Sequence, residues 1–487
     1  MYAILLLLSI LWLNDSAVAK VCTNITVPVS ISARNAVFNL SPLQSNLDAA
    51  TFTRNYTSIK ANFTETTLTG YDTIHGDFNI SAKFCRPGVT GSTFNSKNGT
   101  VQLLTHGIGF DKTYWDLSYN NYNYSYTDVA VDQYGFSTLS HDRLGVGNSS
   151  HPEDALNIVQ ASAEVEILLE LTKMLREGTL PGINSAFSKV VHIGHSFGSV
   201  QSYTLASKYP DMTNGLILQG FSNNGSWFPA TFAAWNSKLA RFNEPLRFGN
   251  ISAPEVQKLA SKRKTVQFVN HTEKTLDVSP YEIEEIIEGT STANLLAGID
   301  SRPAMVPQDL PTGYMTWADA SANQYSFLYP GYFDPGLLPF AEAHKFPYTT
   351  GEILTILGGP ATAPEFTGPV QIMTGGKSLF FFLPLLLCLQ TATYNLRSEP
   401  LKHAFLVPFF FPGAEQDNIF CGGDCFATGQ PDVSSIPATA DSAFPKASAF
   451  EAYIQPNTGH AVNVHYNSTA AFRVMQDFLV KHGLGGA

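Results

Sequence analysis

The run Val190–Gly198, Val-Val-His-Ile-Gly-His-Ser-Phe-Gly, constrains this chain more than any other stretch. An apolar strand stops at Gly194, and a helix can restart only after Ser196. Gly-x-Ser-x-Gly at such a junction makes a strained turn that lifts one serine hydroxyl clear of the backbone. The glycines are there for room. A side chain at Gly194 or Gly198 would collide with the neighbouring strand or helix as the turn tightens. A serine held this way can attack a carbonyl, provided a histidine and a carboxylate fold up beside it.

The rest of the chain supplies a scaffold for such a turn. Val101–Thr105 reads as a strand ending in His106-Gly107. Gly135–Ser140 leads into His141-Asp142-Arg143-Leu144-Gly145, and Leu216–Gln219 and Val370–Thr374 are further buried strands. Leu156, Val159, Ala163, Ile167, Leu171, Met174 and Leu175 recur at helical spacing, which predicts a helix over Asp154–Arg176. A last helix covers Ala470–Val480. Strands alternating with helices imply an α/β fold with a mostly parallel central sheet and helices on both faces. Residues 22 to about 100 read as a β-rich extension, with Ile25–Ile31 alternating at period two. Residues 222–365 break the rhythm and are crowded with aromatics, among them Trp227, Trp235, Trp317, Tyr325 and Phe327. They read as a cap inserted between a first core part (20–221) and a second (366–487).

Two partners are available to Ser196. His460 follows the strand-like Ala452–Gln455 and precedes the final helix, where a loop histidine can reach over the sheet. His465 is the other candidate and reads as structural. For the acid that orients the histidine, Asp417 is chosen, with Glu415 and Asp424 as competitors. Asp424 lies between Cys421 and Cys425 and reads as a turn residue. The order Ser, Asp, His is that of the strand–turn–helix serine hydrolases. The oxyanion needs two backbone N–H donors. Phe197, after the nucleophile, supplies one, and Ile108 in His106-Gly107-Ile108-Gly109 supplies the other.

Taken together, the chain resembles the α/β-hydrolase superfamily, in particular secreted fungal serine esterases and lipases with an N-terminal β extension. The resemblance covers residues 22–375 and 414–487 and rests on Gly194–Gly198, His106–Gly109, Asp417 and His460. It implies a mobile cap and hydrolysis through an acyl-enzyme. It also makes Asp142 structural, in a loop running from His141 to Ser149. Dehalogenases and epoxide hydrolases of this fold carry an aspartate at the elbow, where this chain has Ser196.

Compartment follows from the ends and the cysteines. Residues 1–19 read as a signal peptide, with an apolar run from Ala3 to Leu13 and an Ala17-Val18-Ala19 cleavage site. The run is too short for a membrane span, which needs about 20 residues. Asn-x-Ser/Thr acceptors at Asn24, Asn55, Asn62, Asn79, Asn98, Asn123, Asn148, Asn224, Asn250, Asn270 and Asn467 agree with a secreted, extracellular glycoprotein. Of 5 cysteines, Cys421 and Cys425 can close a small loop, Cys22 and Cys85 pair across the N-terminal region, and Cys388 is left over. The net charge of −11, with no Lys/Arg cluster, excludes a nucleic-acid partner. No cysteine or histidine spacing calls for zinc, and no Gly-rich phosphate loop is present, so no cofactor is expected.

One stretch does not belong. Gly376–Gly413 carries Leu379–Leu389, almost wholly apolar, and then Pro408–Pro412. Such runs on a soluble surface are an aggregation hazard. Gly376-Lys377-Ser378 can be encoded by GGT-AAG-T, which contains a splice donor, and Phe409–Gly413 by a pyrimidine tract ending in CAG. Removing the segment brings the Val370 strand up to the Asp417 loop and leaves an even number of cysteines. The segment is read as a retained intron, with a hydrophobic insertion or membrane hairpin as the rival.

The sequence therefore points to a serine hydrolase acting on small apolar carboxylic esters. Acyl transfer by the same residues, or a secondary-metabolite-processing hydrolase of the same fold, is the near alternative. A peptidase, and an inactive binding protein or misspliced product, are the others.

Overall fold

A computed structural model of the chain describes residues 19–88, 99–250, 309–376 and 417–486. Residues 1–18, Asn98, Asn270, Cys388, Glu415 and the segment after Gly376 lie outside the described residues. The frame is an eight-stranded sheet. Its strands are β1 (Val21–Phe38), β2 (Leu68–Arg86), β3 (Thr100–Thr105), β4 (Ser137–His141), β5 (Lys189–His195), β6 (Gly215–Gln219), β7 (Val370–Gly376) and β8 (Phe450–Pro456). They lie in the order β1-β2-β4-β3-β5-β6-β7-β8. β3 to β8 are mutually parallel, and β2 runs antiparallel to both of its neighbours.

Parallel neighbours need crossovers. α2 (Ala161–Glu177) joins β4 to β5, α3 (Phe197–Lys208) joins β5 to β6, and α4 (Ser468–Lys481) follows β8. The central strands are buried on both faces, which is why Val190, Val191, Ile193, Leu216, Ile217 and Leu218 form unbroken apolar runs. This is the α/β-hydrolase fold expected from the sequence. One apolar core gathers α2 with β1 and β2. The larger one gathers α3, α4 and the rings of segment 222–365, including Phe232, Trp235, Trp317, Phe327 and Tyr348.

Two local expectations fail. The helix expected from Asp154 starts only at Ala161. Gln160 accepts from Ala36 N–H and donates to Ala36 C=O at 2.9 and 2.8 Å, and Asn35 donates to Asn157 C=O. These bonds to β1 hold residues 154–160 as turns although Leu156 and Val159 keep helical spacing. Within the β-rich extension, α1 (Asn46–Tyr56) interrupts the hairpin, started by a reciprocal cap between Ser45 and Asp48.

Behind the elbow helix lies a buried charge cluster. Arg143, after β4, holds Glu164 of α2 at 3.0 Å and also Glu352, in the short helix Thr350–Thr355 that leads back from the aromatic segment. Its guanidinium also sits 4.9 Å from the Phe197 ring. Two carboxylates share one arginine. Burial therefore pushes the Glu164 carboxyl well above its usual range, Arg143 opposing and Glu352 adding.

Candidate active site

Ser196 caps α3 with φ 54° and ψ −118°, a strained conformation for a non-glycine residue. The reason for its glycines is visible in the packing. A Cβ on Gly194 would come 2.3 Å from Gly198 C=O, and one on Gly198 would come 2.1 Å from Thr105 C=O. Gly107 of the loop after β3 lies against Ser196, where an added Cβ would be 2.8 Å from Ser196 Cβ. No acceptor among the described residues takes the Ile108 or Phe197 N–H. Both N–H groups are open to a ligand, and the second stands at a helix start where N–H groups are orphaned.

His106 fixes that loop. Its Nδ1 faces Gly107 C=O at 2.9 Å, and its Nε2 accepts from Arg143 N–H at 3.1 Å. Burial, helped by Arg143, keeps the ring neutral. Asp142 binds Lys112 and the Asn148 N–H, which fits a structural part.

The acid and the histidine converge from β7 and β8. His460 Nδ1 lies 3.0 Å from Asp417 Oδ1, and both side chains are fully buried. The Nδ1 group faces this oxygen closely but is not well aligned on it in this structure. Asp417 Oδ1 accepts from Ile419 and Phe420 N–H, both at 2.9 Å, and Oδ2 accepts from Thr374 Oγ1 of β7. Burial alone would raise this carboxyl. His460 and these donors outweigh it and hold Asp417 below the usual carboxylate range.

His460 Nε2 has no partner among the described residues, so its hydrogen bond to Ser196 is not formed here. Rings of Phe420 and Phe327 flank His460 at 5.8 and 5.9 Å. Trp317 lies on Gly109, where a Cβ would be 1.8 Å from its ring. Ser196 itself is 6% exposed.

The competing candidates have other work. His465 accepts from Gly459 and Tyr329 N–H at Nε2 and bonds Ala461 C=O at Nδ1. Burial lowers its pKa to about 4. Asp424 takes Phe426 N–H in a turn closed by the Cys421–Cys425 disulfide, and the Cys421 and Gly423 N–H groups hold Asp417 C=O. Cys22 is joined to Cys85 across β1 and β2. Asn24, Asn62, Asn79, Asn123, Asn148 and Asn250 are exposed, and Asn55 and Asn224 are half-buried. Asn467 differs. Its amide donates to Pro456 C=O and accepts from Thr458, inside the histidine loop.

Several site residues went unassigned from the sequence: Thr374, Tyr114, Gln219, Asn463 and His195. Only His195, within the elbow, stood in a motif. The others are single polar residues inside or beside apolar runs.

No family model and no curated protein matches the chain. Among solved structures it is similar to a thermophilic esterase from Thermogutta terrifontis, 15% identical, over 84% of this chain and 95% of that one, TM-score 0.38. A hydrolase from Pseudomonas aeruginosa is 12% identical over 82% and 94%, TM-score 0.38. An epoxide hydrolase from Vigna radiata is 11% identical over 83% and 94%, TM-score 0.36. Likeness at this level carries no argument about chemistry, which rests on the residues themselves.

Proposed function

We propose that the protein is a secreted serine hydrolase that cleaves apolar carboxylic esters. Ser196 attacks the carbonyl carbon while His460 takes its proton. Asp417 stabilises the imidazolium, and the Ile108 and Phe197 amides hold the oxyanion. His460 then passes the proton to the leaving alcohol, and water releases the acid from the acyl-enzyme. The observation that carries this reading is the 3.0 Å approach of His460 to Asp417 beside a serine at a strained strand–helix turn. The phenylalanine and tryptophan rings around His460 and Gly109 favour an apolar substrate. Hydrolysis of p-nitrophenyl butyrate and labelling by a fluorophosphonate, each against Ser196→Ala, test it. A folded parent that does neither ends the reading.

Acyl transfer is the second reading, and burial of the site supports it. With Ser196 only 6% exposed, an alcohol or amine acceptor competes well against water. It would appear as ester or amide product when an acceptor is supplied.

Secretion draws support from two closed disulfides and the exposed asparagine acceptors. The intron reading draws support from the Thr374–Asp417 hydrogen bond, which puts the two flanks of the segment side by side. β7 runs through Gly376, where a Cβ would come 1.8 Å from Ile454 Cγ2. The joint therefore keeps a glycine, as a splice inside that codon would, and the removed stretch is Lys377–Gly413. Gly375, Gly376, Ala414, Glu415 and Gln416 then bridge Thr374 to Asp417, with reach to spare at about 3.3–3.6 Å per residue. A transcript that always retains the segment would contradict this.

A further inference from the structure

Three of the loops that carry the chemistry come from different strands, and one residue, through its main chain and its side chain, bonds to all three. Gln219 ends β6 and is fully buried. Its carbonyl accepts from Ser196 N–H and from Ser199 Oγ, both at 2.8 Å, and so fixes the elbow. Its side-chain Oε1 accepts from Tyr114 Oη at 2.6 Å, just beyond the Ile108 loop. Its Nε2 donates to Asn463 Oδ1 at 2.8 Å, three residues past His460. Asn463 Nδ2 closes the circuit by donating to Tyr114 C=O at 2.9 Å.

Tyr114 also stacks on His195 at 4.3 Å, and His195 stands 5.1 Å from the His460 ring. The next residue, Gly220, lies so close to His460 that a Cβ there would be 2.9 Å from Cε1. Buried amide and hydroxyl groups in a closed circuit have few alternative arrangements, because each broken bond strands a partner away from water.

We propose that Gln219 is a positioning residue that sets the distance between Ser196, His460 and the oxyanion donors, through Tyr114 and Asn463. This rests on the hydrolase reading above and adds a role for residues that touch no substrate. It predicts a loss in kcat rather than in substrate affinity, since misplacement of reacting groups by about 1 Å can cost about 10²-fold.

The molecule contains its own control. On β3, Gln102 donates to Gln476 Oε1 at 2.7 Å and accepts from Tyr126 Oη at 2.8 Å, and Gln476 donates to Tyr126 Oη at 2.7 Å. This is the same chemistry, equally buried, with no bond to a catalytic loop.

The test is steady-state ester hydrolysis and fluorophosphonate labelling rate for Gln219→Leu, Asn463→Leu, their double variant, Tyr114→Phe and Gln102→Leu. Melting temperature is followed in each. The expected result is a loss of about 10²-fold in kcat for Gln219→Leu and Asn463→Leu, with KM within threefold. The double variant loses no more than either single one, because the circuit is already open. Gln102→Leu melts earlier but keeps kcat within threefold. Tyr114→Phe, which removes one hydroxyl, gives a smaller loss of the same kind and serves if the leucine variants do not fold. Unchanged kcat in Gln219→Leu or Tyr114→Phe, additive losses, or an equal kcat loss in Gln102→Leu overturns the proposal. A folded parent that neither hydrolyses nor labels overturns the hydrolase reading, and this one with it.

Discussion

Replacing Asp417 by asparagine removes one charge and almost nothing else. Two backbone N–H groups, of Ile419 and Phe420, point at Oδ1. An asparagine must therefore place its oxygen there and its NH2 toward Thr374, whose hydroxyl can accept. The atom facing His460 Nδ1 stays an oxygen, so the imidazole keeps the tautomer that leaves Nε2 free to act as base. What is lost is the attraction between carboxylate and imidazolium. Two unit charges 3.0 Å apart interact by about 5.5 kcal/mol at an effective dielectric of about 20.

Because the imidazolium is only partly developed in the transition state, the barrier rises by about 3–5 kcal/mol, a loss of about 10²- to 10⁴-fold in kcat/KM. The assay is ester hydrolysis by purified protein, with Ser196→Ala as the floor and near-ultraviolet circular dichroism to verify folding. A loss below tenfold would refute the assignment of Asp417 as the acid. A fall to the Ser196→Ala floor would refute the argument that its neighbours preserve the tautomer. Stability supplies a second readout. The Asp417 carboxyl is held low in the fold, so its contribution is present above the unfolded value of about 3.9 and is lost as pH falls through the folded one. The gap in melting temperature between parent and Asp417→Asn closes on acidification.

Other outcomes follow from the same geometry. Excising Lys377–Gly413 should give a chain that hydrolyses p-nitrophenyl butyrate faster than the full chain, and equal rates would mark the segment as a tolerated insertion. The Glu164 carboxyl is raised by burial, so its protonated form stabilises the fold at low pH. That advantage is lost as pH rises from about 4.3 through the folded value, at up to about 1.4 kcal/mol per pH unit. Glu164→Gln should gain in melting temperature over the parent as pH rises, and a constant difference would contradict this. If the chain is secreted as proposed, the mature protein should begin at Lys20, whose main-chain N–H already meets Asp132 at 2.8 Å. N-terminal sequencing that finds another first residue would refute the cleavage site.

Much of the frame was legible because it rests on local chemistry. Gly194, Ser196 and Gly198 announce a turn whatever surrounds them, and the apolar runs of β5, β6 and β7 need cover on both faces. Asp417 and His460 could be proposed from their places after strand-like segments, since a parallel sheet delivers such loops to one edge. What stayed hidden depends on partners far away in sequence. Gln219, Asn463 and Tyr114 are ordinary residues until β6, β8 and the loop after β3 meet. The turns at 154–160 have helical spacing, and only Ala36 and Asn35 on β1 reveal why Gln160 and Asn157 leave the helix.

Ser196 sits where the backbone would choose glycine, at a cost of about 1–3 kcal/mol. On the proposed function, folding and turnover thus pull this position in opposite directions. Selection for stability alone would replace the serine, and Ser196→Gly should outlast the parent on heating while doing no chemistry. A lineage that ceased to need the reaction would be free to drift toward that relaxed elbow and would keep the sheet and both disulfides. On the hydrolase reading, serine at this site marks a place where use outweighs the fold's own preference.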